Sequence, residues 1–132
     1  MSSAETKARR PLSPHLTIYR WQATMVMSIV HRITGIGLYF GTLILALWLI
    51  AAAMGQQQYD FVTGLLTSWP GLVILVGYSW ALIHHLLGGL RHFVWDFGRG
   101  LGKPARDQLA IGNLVASIIL TIALWAFIAW FR

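Results

Sequence analysis

The sequence predicts an all-α integral membrane protein in which three helices cross the bilayer. Of the 132 residues, 57% are hydrophobic and only 11% are charged, against about a quarter charged in an ordinary soluble domain. Mean hydropathy is +0.64. Uncharged runs cover residues 33–59, 61–90 and 108–131. Each exceeds the roughly 20 residues that a helix needs to cross about 30 Å of hydrocarbon. These runs take up most of the chain and leave no room for a separate soluble domain.

Residues 1–24 read as a basic segment on the cytoplasmic side, carrying Lys7, Arg9, Arg10 and Arg20. Pro11 and Pro14 interrupt any helix there. No apolar core follows at once, so the segment does not read as a cleaved secretory signal, and it is short for a transit peptide. Residues 25–132 form the membrane anchor. Its first span covers about 25–54, its second about 69–92 and its third about 109–131.

The loop GQQQYDFVTGLLTSWPG between the first two spans has no Lys or Arg and a single acid, Asp60. The loop after the second span carries Arg91, Arg99, Lys103 and Arg106. The positive-inside rule therefore puts the N-terminus and this second loop in the cytoplasm, or in a mitochondrial matrix. Trp21, Trp69, Trp95 and Trp130 fall near the span ends, as an interfacial aromatic belt or as packing between helices. The formal charge of +6 is spread along these flanks. It points to anionic lipid and not to nucleic acid. With no cysteine in the chain, disulfides, thiolate metal sites and iron–sulfur ligation are excluded.

The second span ends in IHHLLGGLRHFVWD, with His84, His85 and His92 in nine residues. On a helix, the His85 face continues through Gly88 and Gly89 to His92. An imidazole flanked by small residues suits a flat macrocycle, whose carboxylates would meet His92 and Arg91. The alternative is close helix packing, with the imidazoles hydrogen-bonding across an interface. His84 points about 100° away and reads as a packing residue. A bis-imidazole haem needs a second ligand. His31 on the first span is disfavoured by a depth difference of several ångströms, so another chain is the expected donor.

In SIVHRITG, Ser28, His31, Arg32 and Gly35 line one side of the first span. An arginine at a membrane entrance faces a cavity or partner, or snorkels as an anchor. A hydroxyl and a guanidinium on one face meet the demands of a quinone carbonyl being reduced at the membrane surface.

RPLSPHLTIYRW, SIVHRITG and HHLLGGLRHFVWDFG together resemble the cytochrome b membrane-anchor family of succinate dehydrogenase, the larger-motif anchor of respiratory complex II. The resemblance spans about residues 11–132, and its family motif falls on His85, Gly89, Arg91, His92, Asp96 and Gly98. It implies that His85 is an axial ligand of one haem b shared with a second membrane-anchor subunit, which supplies the other histidine. His31, Arg32, His92, Gly89 and Arg91 would surround the haem and its propionates. Ser28 and Arg32 would contact ubiquinone. The implied partners are that second anchor, an iron–sulfur subunit and a flavoprotein that oxidises succinate, so the chain is not catalytic alone. The expected location is a bacterial inner membrane, with the mitochondrial inner membrane as the alternative. Competing readings are the anchor of a quinol–fumarate reductase and a structural scaffold without cofactor. A proton channel is disfavoured because the ionisable residues stop in one half of the bilayer.

Overall fold

The computed structural model describes residues 18–131; Lys7, Arg9, Arg10, Pro11 and Pro14 lie outside them. The described chain is helical: α1 (Ala23–Met54), α2 (Gln56–Thr67), α3 (Trp69–Asp96) and α4 (Lys103–Trp130). Among the described residues, α1, α3 and α4 are the helices long and apolar enough to cross a membrane, which agrees with the three expected spans. At 1.5 Å per residue, the 32 residues of α1 reach about 48 Å, further than the hydrocarbon core.

The structure adds detail to the connections. The segment after the first span, expected as a loop, is the helix α2. At its exposed surface Gln56 Nε2 donates to Asp60 Oδ1 at 2.8 Å. It is held to α1 where Trp48 Nε1 donates to Thr63 Oγ1 at 3.2 Å. The helix that carries the third span begins at Lys103, ahead of the expected span start near residue 109, because Pro104 sits in the first helical turn, where a missing N–H is tolerated.

Gly55, with φ of +124°, separates α1 from α2 in a backbone conformation that side-chain-bearing residues avoid. Ser68 starts α3, its hydroxyl accepting from the Gly71 amide at 3.4 Å. Gly71 itself allows the tight reversal: a Cβ there would stand 2.3 Å from the Leu65 carbonyl oxygen.

The interior reverses the pattern of a soluble protein. Among the described residues the buried apolar side chains are Met27, Ala51 and Ala110, whereas Thr34, His84, Arg91, Asn113, Ser117 and Thr121 are all buried. Large apolar residues such as Phe40, Leu47, Phe93, Ile119 and Phe127 cover the outside. Lipid accepts an apolar exterior, so helices associate here through small residues and hydrogen-bonding groups. Gly41 is the tightest crossing of α1 with α3: its Cβ would overlap the Tyr78 ring.

Candidate functional site

Near the basic end of the molecule, α1 and α3 face each other through two histidines. The His31 and His85 rings stack with centroids 3.9 Å apart and planes 5° from parallel. Each ring rests on a glycine of the opposite helix. A Cβ at Gly35 would lie 3.0 Å from His85 Cε1, and one at Gly88 would lie 2.5 Å from His31 Nδ1. This reciprocal seating fixes the register of the two helices.

It also corrects the expected depth difference between His31 and His85. Depth was counted from the ends of the apolar runs, but α3 continues to Asp96, and the glycines decide how far the helices slide. Gly88 thus makes room for His31 and not for an external ring, while Gly89 has nothing within 4 Å of where its Cβ would be. His31 is still not placed to bind opposite His85. Two imidazoles on opposite faces of one macrocycle point end-on at a common centre, whereas these lie face to face.

His85 Nδ1 lies 3.1 Å from the His31 carbonyl oxygen and 3.3 Å from Thr34 Oγ1. The Thr34 hydroxyl donates to that same carbonyl at 2.9 Å. A carbonyl only accepts, so His85 carries its proton on Nδ1 and keeps the lone pair of Nε2 free. No hydrogen bond of His85 Nε2 occurs among the described residues. A neutral imidazole with one nitrogen anchored and the other open is the form that binds a metal. One such nitrogen can supply a single metal ligand, and the described residues hold no group of three or more metal-ligating side chains.

His92 continues this face, its ring 5.6 Å from His31 and 5.1 Å, edge-on, from Trp95. Ser28 and Arg32 lie four residues apart on α1, and both are exposed. On α1 they stand three residues before His31 and one after it. Arg91 leaves the His85 face of α3 but shares the Trp95 ring with His92. Six residues from His85, it is turned by about 120° and is buried on the side facing α4. Its guanidinium stands 5.0 Å from the Trp95 ring centroid, and its Nε and Nη1 lack hydrogen-bond partners among the described residues.

His84 belongs to a separate network. Only 1% exposed, it accepts from Asn113 Nδ2 at 3.0 Å and lies 3.2 Å from Ser117 Oγ. Trp80 Nε1 donates to the same hydroxyl at 3.2 Å. Such bonds clamp α3 to α4, in keeping with the packing role expected for His84.

Thr34, Asn113 and Ser117 were not anticipated. A readable signal existed for the last two: Asn113, Ser117 and Thr121 recur every four residues in an otherwise apolar helix, which marks one face as polar. Thr34 had no such signal, because its role depends on a residue 51 positions away.

Comparison with known proteins gives the family of the chain. A family model described as succinate dehydrogenase/fumarate reductase transmembrane subunit matches residues 6–124. The chain belongs to this family. Its relatives include the succinate dehydrogenase cytochrome b556 subunits of Paracoccus denitrificans, 37% identical over 92% of this chain and 96% of that protein, and of Rickettsia felis, 38% identical over 89% and 91%. A mitochondrial cytochrome b560 subunit from Bos taurus is 35% identical over 94% of this chain and 75% of its own. The expected membership in the succinate dehydrogenase cytochrome b anchors is borne out. With bacterial and mitochondrial relatives and three membrane-crossing helices, this family member is a multi-pass inner-membrane protein.

Proposed function

We propose that the chain is the haem b-binding anchor of a succinate:quinone oxidoreductase. In this reading His85 would hold the haem iron through Nε2, and Ser28 and Arg32 would contribute to a ubiquinone site. The observation that carries the reading is the anchored Nδ1 of His85, which leaves Nε2 without a hydrogen-bonding duty. Open space beside Gly89 supports the approach of a flat ring on the same helix. The face-to-face His31 supports a second ligand from a partner anchor. The names of the relatives, cytochrome b556 and b560 subunits of succinate dehydrogenase, favour succinate oxidation as the direction.

The chain's own contributions follow from side-chain chemistry. Haem, when bound, supplies a reversible one-electron store. His31 and His92, whose rings lie 5.6 Å apart, and Arg32, next to His31 on α1, would receive its carboxylates through charge-assisted hydrogen bonds. The Ser28 hydroxyl and Arg32 guanidinium donate to a quinone carbonyl oxygen and stabilise the negative charge that gathers there during reduction. Their exposure in the single chain is consistent with a site completed by the iron–sulfur subunit and the second anchor. The basic end lies in the cytoplasm, where protons for the reduced quinone are available.

The test is a dithionite-reduced minus oxidised spectrum of the complex co-expressed with its partner subunits, normalised to the amount of this chain in the membrane. His85→Ala is expected to abolish the b-type signal. His84→Gln, which keeps an amide for the α4 contacts, is expected to retain it. A full b-type signal from His85→Ala overturns the ligand assignment.

A further inference from the structure

The haem-ligand reading leaves open what holds His85 in the one tautomer and orientation that serve it. The answer lies on the opposite helix, in three features of α1. The His31 carbonyl accepts from His85 Nδ1 at 3.1 Å, and Thr34 Oγ1 stands 3.3 Å from the same nitrogen. Gly35 removes the Cβ that would otherwise press on the His85 ring. Thr34 is 3% exposed, in a chain whose exterior is lipid-facing.

Within a helix, a threonine hydroxyl commonly donates back to a carbonyl three or four residues earlier. Thr34 does so to His31 at 2.9 Å. The same carbonyl oxygen is the one that His85 Nδ1 reaches from α3 at 3.1 Å. With its hydrogen committed to that carbonyl, the Thr34 oxygen meets the imidazole as an acceptor. Both α1 oxygens therefore ask the same thing of His85: a proton on Nδ1.

We propose that Thr34, acting with the His31 backbone carbonyl, is the positioning residue that fixes His85 as the Nδ1–H tautomer, directs Nε2 at the iron and sets the ligand's electron donation. This rests on His85 being the haem ligand. Thr34 acts through His85 and needs no contact with haem or quinone. An imidazole whose second nitrogen donates a hydrogen bond is a more basic ligand. A more basic ligand favours the ferric state, so Thr34 holds the haem potential down.

The experiment compares Thr34→Val, Thr34→Ala and Thr34→Ser in the assembled complex, with haem midpoint potential and haem dissociation rate as readouts. Valine has nearly the shape of threonine and lacks the hydroxyl. Thr34→Val and Thr34→Ala are expected to raise the potential and speed haem loss by about tenfold, the lower end of the usual effect of outer-shell partners on metal affinity. Thr34→Ser is expected to match the parent in both. If Thr34→Val fails to assemble, Thr34→Ala decides. A potential in the hydroxyl-free variants equal to the parent's overturns the proposal. His85→Ala in the same series separates the two claims. Haem retained in His85→Ala defeats the ligand reading. Haem lost there, with Thr34→Val unchanged, defeats only the role of Thr34.

Discussion

Replacing Gly41 by alanine tests whether close approach of α1 and α3 builds the site. A Cβ at this position would stand 1.8 Å from Tyr78 Cε2 and 2.3 Å from Cδ2. Ordinary carbon–carbon contact begins near 3.6 Å, so the ring or the helix must retreat by roughly 1.8 Å. Overpacking of this size costs about 1–3 kcal/mol. Alanine's better helix propensity returns about 0.5–1 kcal/mol, for a net loss of roughly 0–2.5 kcal/mol.

The control is Gly37→Ala, one turn away on the same helix, where nothing lies within 4 Å of the added atom. It should be neutral, or stabilising by about 0.5–1 kcal/mol. Both variants would be unfolded by SDS titration in mixed micelles and followed by far-ultraviolet circular dichroism. The helices that separate at Gly41 also carry the 3.1 Å bond from His85 to the His31 carbonyl. Haem retention by the assembled complex should therefore fall in Gly41→Ala alone. Equal behaviour of the two variants would refute the claim that Gly41 sets the spacing.

Other expectations follow from single contacts. Asn113→Ala removes the donor to His84 and should destabilise the chain by about 1–3 kcal/mol in the same titration, with the b-type spectrum per folded chain unchanged. Ser28→Ala should raise the KM for quinone in succinate-driven reduction while leaving haem content at the parent level; an unchanged KM removes Ser28 from the quinone site. Gly55→Ala forces a side chain into φ of +124° and should cost about 1–3 kcal/mol, measured against Gly64→Ala, which meets nothing within 4 Å. Arg91→Met replaces a buried guanidinium whose Nε and Nη1 lack partners and should leave unfolding of the isolated chain within about 1 kcal/mol of the parent. A large loss would show an ionic role for Arg91 within this chain.

Much of this was legible in the chain itself. Three apolar runs of bilayer length specify three crossing helices, because no other element satisfies its backbone in lipid within one segment. Helical spacing joined His85 to His92 and Ser28 to Arg32 without any structure, since 3.6 residues per turn relates positions on one helix. Relations between helices were out of reach. Nothing local says that His31 slides level with His85, because that register depends on Gly35 and Gly88 receiving rings from the opposite helix. Nor does Arg91, adjacent to His92 in sequence, announce that it turns toward α4. The tautomer of His85 was the least legible feature. It is decided by a carbonyl and a hydroxyl more than fifty residues away, and hydrogen-bond partners across helices exist only once the backbones have packed.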